Sequence, residues 1–148
     1  MRDVDMMSAI ERVCFTVPWS RDSIERAIKS KTSYCVSVLY DNVVVGYGFS
    51  RTVVDEGEIL NLVVSPKHRR HGLGRLILDE MLKVAVSRGA KTAYLEVRES
   101  NKAAASLYEA EGFTVVGRRK NYYKFPTEDA VLMAKDLVGG EKNDNSRN

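Results

Sequence analysis

Cysteine is scarce in this chain. Only Cys14 and Cys35 occur in 148 residues, with neither a Cys-x-x-Cys pair nor histidines at metal-ligand spacing. A zinc site is therefore not expected, nor any other metal, and reduced structural thiols in a cytoplasmic protein are. Long apolar runs are missing too. None approaches the roughly 18 residues that a membrane span requires, and no secretory pattern opens the sequence. Nor is one sign of charge in large excess: 23 Lys and Arg stand against 20 Asp and Glu, a net charge of +3. That balance permits attraction to an acidic ligand without establishing one. Neither an internal repeat nor a linker divides the chain, so residues 1–138 are expected to form one domain with a real core. The Gly/Asn-rich polar stretch 139–148 is expected to be a disordered tail.

What is present centres on Arg69-Arg70-His71-Gly72-Leu73-Gly74-Arg75. It follows a short apolar strand, Ile59 to Val64, stopped by Ser65-Pro66. It precedes a helical pattern with Leu73, Leu76, Ile77, Met81, Val84 and Ala85 three and four apart, ending near Gly89. Two glycines at a helix start allow a tight turn and expose successive N–H groups, and the helix dipole adds positive potential. With Arg70 and Arg75 alongside, such a turn can hold a phosphate. The same basic cluster, from Lys67 to Arg75, also reads as a solvated surface or a nucleic-acid patch. It is not a Walker loop, since no Gly-Lys-Ser/Thr follows. Nor is it a dinucleotide fingerprint, because only two glycines are present and basic residues precede them.

Elsewhere the pattern alternates between helices and strands. Asp5 to Phe15 reads as a helix with Met6, Ala9, Ile10 and Val13 on one face, broken by Pro18-Trp19-Ser20. Ser20 can cap a second helix reaching about Ile28. Tyr34–Leu39 and Val43–Val54 read as strands joined at Asp41-Asn42. Thr92–Arg98 is a further strand, Ala103–Ala110 a short helix closed by Gly112, and Phe113–Arg119 with Ala130–Leu137 a final hairpin. The fold class expected is α/β in the broad sense (α+β): a mixed central sheet flanked by helices.

Strand Thr92–Arg98 alternates, with Ala93, Leu95 and Val97 on one side and Tyr94, Glu96 and Arg98 on the other. A strand that follows a crossover helix should be apolar on both faces, so its charged face points to a wet cleft, or else to the solvent side of an edge strand. Ser100 or Asn101 can cap the next helix, in which Tyr108 is either packing or a proton donor.

Taken together, Arg69-x-x-Gly72-x-Gly74, Leu95-Glu96-Val97-Arg98, Asn101, Leu107-Tyr108 and Glu111-Gly112-Phe113 closely resemble the GNAT superfamily of N-acetyltransferases, from about Val4 to Leu137. Phe15 with Pro18-Trp19-Ser20, Arg119 with Asn121-Tyr122-Tyr123, and Glu128-Asp129-Ala130 before Met133 narrow the likeness. They resemble the bacterial RimI-type branch, whose members acetylate the N-terminal alanine of a small-subunit ribosomal protein. The resemblance implies the GNAT fold, with its first strand short or absent here, which leaves Tyr34–Leu39 at a sheet edge. It implies acetyl-CoA as acetyl donor, met by backbone groups of Leu62, Val63 and Val64. Its pyrophosphate would lie against Arg70, His71, Gly72, Leu73, Gly74 and Arg75, and Asn101 would be a further contact. It implies Glu96 as general base and Tyr108 as general acid, with direct transfer and no acyl-enzyme. Phe15 and Trp19 would form one wall for the acceptor, and Asn121, Tyr122 and Tyr123 a loop on the substrate side. His71 stands where the family more often has arginine or lysine.

The expected partner is a protein or peptide N-terminus, that of a ribosomal protein among the candidates, in the cytoplasm, with no direct nucleic-acid contact and no membrane. A lysine side chain, a small-molecule amine, and a non-catalytic acetyl-CoA-binding regulator are the alternative readings.

Overall fold

The computed structural model describes residues 2–15 and 17–138; the expected tail, 139–148, lies outside them. The order of elements is α1 (Arg2–Cys14), α2 (Arg21–Lys29), β1 (Ser33–Tyr40), β2 (Val43–Val53), β3 (Glu56–Val64), a 3-10 turn (Pro66–His68), α3 (Leu73–Ser87), β4 (Thr92–Arg98), α4 (Lys102–Ala110), β5 (Thr114–Tyr123) and β6 (Glu128–Asp136). Six strands form one sheet in the order β1-β2-β3-β4-β6-β5. Only β3 and β4, joined through α3, run parallel, because an antiparallel return needs a turn and a parallel one needs a crossover. This is the mixed sheet with flanking helices of the GNAT fold, and β1 stands at its edge.

Local chemistry accounts for the boundaries. Ser20 caps α2, its side chain accepting from Ser23 N–H at 3.1 Å. Asp41 and Asn42 both take positive φ, 50° and 65°, in the tight β1–β2 turn, a conformation these residues tolerate. Of the two candidate caps for α4, Asn101 is the one used, accepting from Ala104 N–H at 3.1 Å.

One face of the sheet packs on α3 and α4 through Ile77, Leu78, Met81, Ala93, Leu95, Tyr108 and Phe113. Close seating of α3 depends on Gly48, where a Cβ would collide with Met81 Sδ. The other face is covered by α1 and α2 over β2 and β3, through Val4, Met7, Ile24, Tyr47, Phe49 and Val63. No helix continues over β4, β6 and β5 on that side among the described residues.

Three expectations are corrected. The buried residues of α1 are Val4, Met7, Ser8 and Glu11; of the expected face Met6 and Ile10 are half-buried against the same core, while Val13 is 74% exposed and Ala9 faces solvent. The apolar stripe was displaced because a carboxylate, Glu11, finds hydrogen-bond donors inside. In α3, Leu78 and Leu82 are buried beside Ile77, Met81 and Ala85, and Leu76 is exposed, so the buried stripe is turned away from Leu76. Asn121, Tyr122 and Tyr123 end β5 and do not belong to a loop. The ladder with β6 is nonetheless interrupted between Arg119 and Tyr123, and Asn121 has φ 53°.

Candidate active site

The site begins with a fault in the sheet. Register between β2 and β3 runs Phe49↔Asn61 and then Ser50↔Ile59, so Leu60 is the extra residue of a bulge. A bulge bends its strand and increases its twist. At that point β3 leaves β4: their pairing runs from Glu56↔Thr92 to Ile59↔Leu95 and stops. Beyond it, β3 pairs with β2 and Glu96–Arg98 pair with β6. The two parallel strands diverge into a gap.

Ladder geometry shows which groups face that gap. Ser65 N–H donates to Val45 C=O at 2.8 Å, which makes Ser65 and Val45 a hydrogen-bonded pair. In an antiparallel ladder such pairs alternate, so Val63 is bonded toward β2, while Leu62 and Val64 direct their N–H and C=O groups into the gap. The Val64 carbonyl accepts from Arg69 Nε at 3.1 Å. Leu62 and the Val64 N–H are the groups left for a bound chain.

At the gap's mouth α3 begins. Gly72 is its N-cap, with φ 77° and open space where a Cβ would lie. Its carbonyl accepts from Leu76 N–H at 3.1 Å, and the first-turn amides of Leu73, Gly74 and Arg75 precede any intrahelical partner. Arg70, also at positive φ (67°), and His71 are exposed on the approach. Arg75 is 65% exposed, with its guanidinium 3.4 Å from Glu111. Glu111 in turn lies against Asp79, and this neighbour, with burial second, raises its carboxyl above the usual range.

Glu96 stands on β4 at the first residue past the last β3–β4 pair, on the face that no helix covers. Its Oε2 is buried and has no partner, while its carboxylate lies beside the Tyr122 phenol and raises it. A buried carboxylate oxygen with no donor is costly to hold. A cavity of about 520 Å³ opens beside it on this face, lined by Arg51, Glu58, Tyr94, Arg119 and Leu132. Arg51 and Glu58 pair across its floor. Of these, Glu58 and Tyr94 were readable from period two along their strands, once β3 and β4 are known to be neighbours.

Tyr108 lies on α4, its ring edge-on to Phe113 at 5.8 Å. Burial, with Tyr123 nearby, pushes its phenol up to about 12. Tyr123 is raised to about 12 as well, by burial first and then by Glu96 and Tyr122. Glu96, Tyr122, Tyr123 and Tyr108 therefore form one electrostatically linked group. Arg98 secures one end of it. Its guanidinium donates to the carbonyls of Lys124 (2.9 Å) and Pro126 (3.1 Å), pairs with Glu128 at 3.0 Å and lies 4.5 Å from the Tyr123 ring centroid. On the opposite side, Trp19 packs on Phe49 at 5.3 Å, and Phe15 is 39% exposed. Asn101 is engaged as the cap of α4 through its Oδ1.

Residues 4–113 match the Acetyltransferase (GNAT) family. The chain belongs to that family. It is an acetyl-CoA-dependent N-acetyltransferase. It is 34% identical to a ribosomal protein bS18-alanine N-acetyltransferase of Haemophilus influenzae, over 89% of this chain and 91% of that one. It is 37% identical to the Escherichia coli protein of the same name, over 84% and 85%. The crystal structure of the Escherichia coli ribosomal-protein-S18-alanine N-acetyltransferase superposes with a TM-score of 0.85 at 31% identity, covering 93% of this chain and 89% of that one. The enzyme's diverging strands and glycine turn are thus set in a shared frame.

Proposed function

We propose that the enzyme transfers the acetyl group of acetyl-CoA to the α-amine at a protein N-terminus, foremost an N-terminal alanine of a ribosomal protein in the cytoplasm. The observation that carries the reading is the unpartnered, buried Oε2 of Glu96 at the point where β3 and β4 part. Relatives 34% and 37% identical that bear the name of that activity support the choice of acceptor.

Residues fit the donor. The first-turn amides of α3, with Arg70 and Arg75, would hold the pyrophosphate, and Leu62 and the Val64 N–H would meet the pantetheine arm as a neighbouring strand would. When bound, acetyl-CoA supplies a thioester carbonyl for an amine to attack. Glu96 takes the proton of that amine, directly or through water. An α-amine with a pKa of about 7.7–8.0 is within a carboxylate's reach at neutral pH, whereas a lysine at about 10.4 demands more. Tyr122 flanks the Glu96 carboxylate. Tyr108, which retains its proton at neutral pH, donates to the departing sulfur. Tyr108→Phe keeps the packing on Phe113 and is expected to lower kcat about 10²-fold, with the melting temperature measured alongside; an unchanged kcat would leave Tyr108 as packing alone.

The acceptor is tested by mass spectrometry of peptides with free N-termini incubated with acetyl-CoA. Acetylation at the α-nitrogen of Ala-first peptides is the expected result. Label confined to internal lysines would overturn the reading.

A further inference from the structure

Glu11 is a buried acid for which the chemistry above has no use. It is 1% exposed, and three elements send it donors. Its Oε1 accepts from Trp19 N–H at 2.9 Å; its Oε2 accepts from the Tyr47 hydroxyl and from Asn61 Nδ2, both at 2.6 Å. Trp19 belongs to the α1–α2 connection, Tyr47 to β2, and Asn61 is the first β3 residue beyond the bulge. One carboxylate therefore joins the α1–α2 connection to the stretch of β3 that borders the gap. A second tie closes the same corner: Arg69 reaches Cys14 Sγ at 3.4 Å and the Val64 carbonyl at 3.1 Å, so the end of α1 abuts the gap's mouth.

We propose that Glu11 is a positioning residue for the acceptor: it holds the Trp19 wall at a fixed distance from the gap in the sheet. The proposal deepens the acceptor reading above and rests on it. Anchoring a helix alone needs no charge, because apolar partners packed on one another serve as well. A carboxylate differs by accepting from all three donors at once, which fixes a connection and two strands relative to one another. Glutamine cannot do this. It has one acceptor oxygen and brings two donors, so at least one of the Trp19, Tyr47 and Asn61 contacts must turn away.

The test uses Glu11→Gln in the full chain, with two readouts. Trp19 is the only tryptophan, so its fluorescence reports the wall directly. Its emission should shift to the red and become more open to acrylamide quenching. In steady-state kinetics, at a temperature where both proteins are folded, KM for the acceptor should rise at least about fivefold, while kcat and KM for acetyl-CoA stay within about twofold. The kinetic arm uses whichever amine the wild-type enzyme acetylates in the peptide panel, so a failed choice of acceptor is seen there and does not masquerade as a failure of Glu11. If the glutamine variant does not fold, Asn61→Ala removes one of the three ties and should give the same split, smaller in size. An unchanged acceptor KM, or a fall in kcat with KM unchanged, would overturn the proposal, whatever Trp19 shows.

Discussion

Glu96→Gln is expected to lower kcat on an Ala-first peptide by about 10²–10⁴-fold at neutral pH, with the dissociation constant for acetyl-CoA altered by no more than about twofold. Glutamine is nearly isosteric and fits the same place beside the Tyr122 phenol. What is lost is a basic site at the buried, unpartnered Oε2. An α-amine with a pKa of about 7.7–8.0 is largely protonated at pH 7, and without Glu96 only the fraction deprotonated by solvent can react. The deficit should therefore shrink as pH rises past the amine's own pKa and be largest below it. Steady-state rates from pH 6 to 9, with acetyl-CoA binding followed by calorimetry, check both halves. A variant with wild-type kcat at pH 7 would assign the proton transfer to another group. A variant that no longer binds acetyl-CoA would instead show that Glu96 shapes the donor side.

How much of this was visible in the amino-acid order depends on the range of the interactions involved. Turn chemistry is local, and so Ser20, Asp41-Asn42, Gly72, Gly89 and Gly112 marked element ends that the structure confirms, the three glycines at φ 77°, 95° and 96°. The charged face of Thr92–Arg98 was legible for the same reason, and it does lie beside a cavity. The gap was not legible in the residues, because it arises from one unpaired residue, Leu60, whose effect exists only once β2, β3 and β4 lie side by side. The face of α1 was misjudged because Glu11 is neutral to helix periodicity but decided by donors 36 and 50 positions away, on Tyr47 and Asn61. A charged residue at i+7 from Val4 and i+4 from Met7 was the available signal. Arg98 is similar: sequence placed it on the polar face, but its partners at Lys124, Pro126 and Glu128 come from the turn of the β5–β6 hairpin and the start of β6, 26 to 30 positions away.

Gly72→Asp should raise the dissociation constant for acetyl-CoA at least about tenfold, or about 1.4 kcal/mol, while the fold survives. Two effects combine at this position. Gly72 occupies the N-cap of α3, where aspartate is among the best capping residues because its carboxylate accepts from the amides of the first turn. Those are the amides that the proposed cradle offers to phosphate, so an aspartate would occupy them from within the chain. Its charge would also repel the pyrophosphate across the same few ångströms. Against stability stands φ 77°, which costs an L-residue on the order of 1 kcal/mol, less for aspartate than for most. A Cβ there meets no atom within 4 Å, so no steric term is added, and capping offsets part of the strain. Gly72→Ala separates the contributions: it carries the backbone strain without charge or capping, and should lose stability but bind acetyl-CoA far better than the aspartate variant. Calorimetric binding and thermal melts of the three proteins give the comparison. Equal affinity in wild type and Gly72→Asp would mean that phosphate does not sit on the amides of α3, and the donor would have to be placed elsewhere along the gap.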